Sequence, residues 1–285
     1  MTPLDQDHLE EELDGEKEMT FLEHLEELRW HLIRSIAAIF IFMIAAWFLK
    51  EWVYGELILG PTKPDFWTYK KLCDLGQSIG VDGLCFNEVA FKFQNREVSG
   101  QFMLAITSSA VIGLLIAFPY IIWEIWSFIK PGLRPVERRA ARGAVFIVST
   151  LFFAGVAFGY FIVTPFGVHF LAEFQLDPSI ENQYDIKNYL SILTTLTLAC
   201  GLMFQLPVII TVLTKIGIVN PSFLQEYRRH AFVVILIVAA VITPSPDVIS
   251  QLLVAFPLYF LFEVSILVSK RIYAANLKQL EDEHI

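Results

Sequence analysis

The sequence predicts an all-α integral membrane protein: six transmembrane helices, kinked, forming a concave bundle with both termini cytoplasmic. Three observations carry this fold class. Of the residues, 55% are hydrophobic, 14% aromatic and only 18% charged, whereas soluble domains are about 25% charged. The apolar residues are clumped rather than spread at helical period: residues 33–49 hold no acid and a single base, Arg34, and residues 101–122 hold no charge at all. About 20 such residues in a helix cross the ~30 Å hydrocarbon of a bilayer. Lysine and arginine also favour alternate connections between the apolar runs, which sets orientation.

The first element is an acidic arm, residues 1–18, expected to be disordered and solvated. Through residue 23, nine acids face one base, Lys17, so −8 of the net charge of −9 arises there. The arm does not by itself indicate a basic ligand. It has neither the basic start nor the cleavage pattern of a secretory signal peptide. Residues 19–271 form the membrane domain, and 272–285 a cytoplasmic tail. Six hydrophobic segments follow in order: 30–53, 101–126, 143–164, 190–216, 231–243 and 249–268. The fifth, at 13 residues, matches a bilayer poorly, and local thinning is expected around it. A re-entrant hairpin of segments five and six is the alternative, and it gives the same sidedness. With the N-terminus inside, the inside connections collect fourteen lysines and arginines against seven outside. The outer loops are then 54–100, 165–189 and 244–248. Pro119, Pro165, Pro207 and Pro257 each remove a backbone donor and bend or end a helix.

Three cysteines are present. Cys200 lies in an apolar run and reads as a packing residue. Cys73 and Cys85 are twelve apart in the first outer loop. They read either as a disulfide, which an oxidising compartment favours, or as two free thiols. Without further ligands they make a poor metal site, and no metal or cofactor is expected.

Polar groups at membrane depth are the informative ones, because a charge placed mid-span costs roughly 2.5–3.5 kcal/mol. Glu124 lies between Trp123 and Trp126, Gln205 near the middle of segment four, and Glu263 within segment six. Thr243 and Gln251 stand near the outer ends of segments five and six, with Asp247 between them. For Glu124 the alternatives are an interfacial carboxylate in an aromatic belt or a functional acid. For Gln205 they are a packing hydrogen bond or a functional amide. Glu263 needs a partner or water at its depth. On the inner face, residues 23–31 read as an amphipathic helix running into segment one. Its leucines, Leu22, Leu25, Leu28 and Leu32, recur at three- and four-residue spacing. Glu23, Glu26, Glu27, Arg29 and His31 crowd the membrane surface there, and Glu137, Arg138 and Arg139 open segment three. Either group reads as ordinary helix-end chemistry or as an acidic patch for a basic partner, since a carboxylate accepts an arginine fork in bidentate fashion. No metalloprotease, hydrolase, phosphate-loop or CxxC pattern occurs. No enzyme activity is assigned, no nucleic acid is expected, and any energy must come from an ion gradient or a partner.

These segments carry a resemblance. Residues 21–29, with His24 and Arg29, are similar to the entry motif of the TatC family, the twin-arginine protein translocase subunit. Trp126 to Leu133 followed by Glu137-Arg138-Arg139 resembles its first cytoplasmic loop. Residues 158–165 resemble the end of its third span, 184–190 the start of its fourth, and 243–251 with 261–263 its fifth and sixth. The ordered set runs from about residue 19 to 271. The resemblance implies a bacterial inner-membrane receptor that binds twin-arginine signal peptides of folded precursors. It implies single-span partners like TatA and TatB, self-association in a larger complex, and export driven by the proton-motive force. Glu27 and Glu137 would receive the arginines, and Phe128 and Arg29 would shape that site, with His24, Arg138 and Arg139 beside it. Thr243 and Gln251 resemble positions tied to docking of the partner helices, and Glu263 is a family position. Three departures stand out. His31 replaces the usual second base of the entry motif, which opens that site to weaker or pH-sensitive binding. Gln205 replaces the acid of span four, while Glu124 stands where glutamine is usual, as if carboxylate and amide had exchanged between spans two and four. The first outer loop is longer than the family's, through Lys70 to Val98. A proton-coupled transporter of a small substrate, with Glu124 and Glu263 as relays, is the alternative function, and a passive scaffold a third.

Overall fold

The computed structural model describes residues 21–80, 85, 92–129, 135–177, 179, 182–243 and 248–283, with backbone alone for 21–23, 79, 135–142, 249 and 276–283. The acidic arm 1–18 and Asp247 lie outside the described residues. Helix α1 spans Phe21–Phe48 and α2 Trp67–Ile79. Gly80, in the left-handed region at φ 72°, closes α2 by donating its N–H to the Gly76 carbonyl. Next come α3, Gly100–Ile129, and α4, Pro135–Phe158, which passes through a π-helical turn at Gly159–Val163 into α5, Thr164–Glu173. Helix α6, Ile186–Met203, is capped by Asp185, whose carboxylate accepts from the Lys187 N–H. Helices α7, Leu206–Lys215, α8, Pro221–Glu226, α9, Arg228–Ile242, and α10, Val248–Glu283, complete the chain.

Among the described residues, five helical stretches are long and apolar enough to cross a bilayer, and they are α1, α3, α4–α5, α6–α7 and α10. Only 11% of the most apolar window in α1 is buried. Phe40, Ile41, Ile44 and Phe48 point outward, a surface that only lipid solvates. The sequence-predicted segments are corrected in detail. Segment three is longer, through the π turn to Glu173. Segment four breaks at Phe204–Gln205, because Pro207 cannot donate to the carbonyl of the preceding turn. Segment six continues to Glu283, a helix of 36 residues. Segment five is the 15-residue α9, about 22 Å long.

Glycines set the closest contacts. A Cβ on Gly113 of α3 would lie 2.8 Å from the Ile39 carbonyl of α1. On the other side, Gly155 and Gly159 of the α4 stretch lie against Cys200 and Leu196 of α6, while Gly201 of α6 lies against Phe152 and Val156. This small-residue seam lets backbones approach where apolar burial gives no advantage over lipid. Helices α6, α9 and α10 share a core of Leu196, Cys200, Ile235, Ala239, Val254 and Ile266. Thr214 and Ser269, 2.8 Å apart and buried, tie α7 to α10.

At the end of the bundle opposite the start of α1, residues 53–80 form a cap. Pro165 leaves the Phe161 carbonyl without its helical donor, and the Thr68 hydroxyl fills that vacancy. Tyr160 donates to the Leu57 carbonyl at 2.7 Å and Tyr189 to that of Ile58 at 2.6 Å. Tyr69 donates to the Pro61 carbonyl at 2.9 Å, and burial pushes its phenol well above the usual range, so it remains a donor. Cys73 and Cys85 are joined as a disulfide. A two-residue parallel pairing, Phe93–Gln94 (β1) with Tyr184–Asp185 (β2), and the Lys187–Glu97 ion pair at 2.7 Å tie this loop to the start of α6.

Candidate functional site

Helical period brings the polar residues of α1 onto one stripe. His24, Glu27, His31 and Ser35 follow at three- and four-residue steps, from exposed His24 to buried Ser35. The adjoining face carries Leu25, Leu28 and Leu32, all exposed. The polar stripe meets a second one on α3, where Tyr120, Glu124 and Phe128 stand one turn apart. The His24 ring stacks on Phe128 with centroids 4.3 Å apart and planes at 18°. The His31 ring meets Phe128 edge-on at 6.1 Å, and its Nδ1 pairs with a Glu124 carboxylate oxygen. Tyr120 hydrogen-bonds Glu124 as well. Glu124 is only 8% exposed, so the acid predicted between two tryptophans points inward to α1, while Trp123 faces outward.

Glu27 lies between the two histidines on the stripe. One of its carboxylate oxygens is buried with no hydrogen-bond partner among the described residues. A buried acceptor left unsatisfied costs about 1–3 kcal/mol, more when charged. The arrangement is therefore an aromatic platform one turn along the stripe from a carboxylate oxygen that has no partner among the described residues, which suits a planar cation: a guanidinium can take the carboxylate with its fork and lie over the ring. Arg29 is exposed next to it. Glu137, Arg138 and Arg139 fall in the first turns of α4, and their side chains lie outside the described residues.

The other predicted polar residues do not join this site. Gln205 donates to the Val148 carbonyl of α4 at 3.2 Å, and its own oxygen is buried without a partner among the described residues. Glu124 and Gln205 thus have separate partners on α1 and α4. Glu263 pairs with Arg228 at 2.8 Å and accepts from Tyr259 at 3.1 Å. Its depth is satisfied by the cation that opens α9. Thr243 is buried and donates to the Ala239 carbonyl, and Gln251 donates to that of Leu236 across the α9–α10 contact. Sequence reasoning missed Tyr120 and the direct contact of His31 with Glu124. It also missed the Gly155–Gly159 seam, although its four-residue glycine spacing is readable.

The family model described as Sec-independent protein translocase protein (TatC) matches residues 23–257. The chain belongs to the TatC family. It is similar to the TatC of Blattabacterium sp. subsp. Periplaneta americana, at 39% identity over 254 residues, covering 88% of this chain and 95% of that relative. It is also similar to TatCy of Bacillus subtilis, at 33% identity, covering 90% and 91%. A solved structure described as the twin arginine translocase receptor TatC aligns with a TM-score of 0.65 at 29% identity, covering 88% of this chain and 99% of that one. TatC membership makes the chain a component of Sec-independent protein translocation and a multi-pass protein of the bacterial inner membrane. It is a transport protein. None of these TatC relatives supports the small-substrate transporter reading.

Proposed function

We propose that this chain is the membrane receptor and core subunit of a twin-arginine translocase, and that the α1–α3 stripe receives the signal-peptide arginines. The single observation that carries this reading is the buried Glu27 oxygen with no partner among the described residues, one turn along α1 from the His24 that stacks on Phe128. A docked guanidinium returns the desolvation cost of that oxygen and gains roughly 0.5–2 kcal/mol over the ring. Glu137, at the start of α4, supplies the second acceptor, with Arg29, Arg138 and Arg139 shaping the rim. The related solved structure is that of a twin arginine translocase receptor, which supports the same reading.

In this reading α9 is the fifth of six spans, both termini are cytoplasmic, and the disulfide-bearing cap faces the oxidising side. Single-span partners like TatA and TatB dock along α9 and α10 near Thr243, Asp247 and Gln251, with Glu263 at the other end. Several copies assemble, and the proton-motive force drives export. The test is photo-crosslinking of a twin-arginine signal peptide to probes at positions 27, 128 and 137. Adducts that disappear when the arginine pair becomes lysines support the receptor. Equal labelling by both peptides refutes it.

A further inference from the structure

Two acids line the α1–α3 stripe, and their circumstances differ. Glu27 has a buried oxygen with no partner among the described residues. Glu124 is engaged from two sides, by His31 of α1 and by Tyr120 one turn earlier on its own helix. Arg34, one turn beyond His31, adds a nearby positive charge. A carboxylate at 8% exposure, paired with His31 through one oxygen and hydrogen-bonded by Tyr120, is already engaged within the bundle rather than open to an incoming guanidinium. Glu124 also lies one turn before Phe128, and its partner His31 touches that ring edge-on. The His24 ring stacks on a face of the same Phe128.

We propose that His31 and Glu124 act as one unit that positions Phe128, and through it the platform beside Glu27, rather than as receivers of arginine. The pair joins α1 to α3 at the level of the ring and fixes which face Phe128 turns to the stripe. This rests on the receptor reading above. It also joins two of the departures from the family pattern, a histidine for arginine and an acid for glutamine, as a matched exchange within one contact. An exchange between Glu124 and Gln205 has no such contact behind it.

A coupled pair has a signature that two independent receivers lack. Removing either member strands the other: a buried carboxylate without its partner, or a ring without its anchor. Removing both strands neither, and groups in one hydrogen-bonded contact are strongly non-additive. The experiment uses the full chain in nanodiscs and two synthetic signal peptides, one with the arginine pair and one with lysines. The readout is the ratio of their affinities, which belongs to the folded, binding-competent fraction and does not fall merely because less protein folds. Glu124→Gln and His31→Gln should each lower the ratio about tenfold, and His31→Arg should restore it by placing a cation on Glu124. The double variant His31→Gln with Glu124→Gln should recover part of the loss of either single. Multiplying single losses, or His31→Arg as poor as His31→Gln, would overturn the unit. So would melting temperatures that shift while the ratio holds, since that is a purely structural role. Should Glu124 itself receive an arginine, no second change rescues Glu124→Gln, and the proposal fails. A wild-type chain that binds both peptides equally sinks the receptor reading instead, and the two failures are told apart by that first comparison.

Discussion

Alanine at Gly155 would place a methyl group inside the α4–α6 contact. Its Cβ would sit 2.5 Å from the Cys200 carbonyl oxygen and 2.8 Å from the Phe204 Cβ. Ordinary contact between heavy atoms begins near ~3.5 Å, so the helices must part by roughly 1 Å at that level. Little slack exists, because Gly159 and Gly201 also make close approaches along the same seam. The obstacles are backbone and a Cβ, not the ends of flexible chains. Overpacking costs about 1–3 kcal/mol, and the rigid neighbours put this case at the upper end. Better helix propensity returns about 1 kcal/mol. The net loss expected for Gly155→Ala is about 2 kcal/mol. A Cβ on Gly143, on the same helix, would meet nothing within 4 Å among the described residues. Gly143→Ala should therefore gain about 0.5–1 kcal/mol from propensity alone. Equilibrium unfolding of both variants by SDS titration in mixed micelles measures the difference. A Gly155→Ala protein as stable as Gly143→Ala would refute the claim that close glycine packing joins these spans.

Two further outcomes concern the cap. Thr68→Val leaves the Phe161 carbonyl without a donor above Pro165 and should cost about 1–3 kcal/mol in the same titration, while Thr68→Ser should keep most of the stability. Membrane-impermeant maleimide on intact cells should label Cys73 and Cys85 only after reductant, and buried Cys200 not at all. Equal labelling without reductant would remove the disulfide and the sidedness built on it.

How much the sequence revealed depended on the range of the interaction. The apolar runs, the prolines and the acidic entry helix are local, so the spanning helices and the Glu27 stripe were readable. The break at Gln205 could be read from Pro207, but the donor to the Phe161 carbonyl below Pro165 is Thr68, 93 positions away. His31 and Glu124 are also 93 apart, and spacing along one helix says nothing of which side chains meet across two. Glu263 looked expensive because its cation, Arg228, belongs to another helix. In each case the partner of a buried polar group came from a distant segment, where period and composition carry no information.

The central claim is that the Glu27 carboxylate, with one oxygen buried and unpartnered among the described residues, selects arginine. Its most direct measurement is the affinity of twin-arginine and twin-lysine signal peptides for wild type and for Glu27→Gln in nanodiscs. A charge-assisted bidentate pair is worth about 1.5–3 kcal/mol. Wild type should therefore prefer arginine by about tenfold or more, and Glu27→Gln should lose that preference while keeping the fold. A Glu27→Gln chain that still prefers arginine as strongly as wild type would contradict the account.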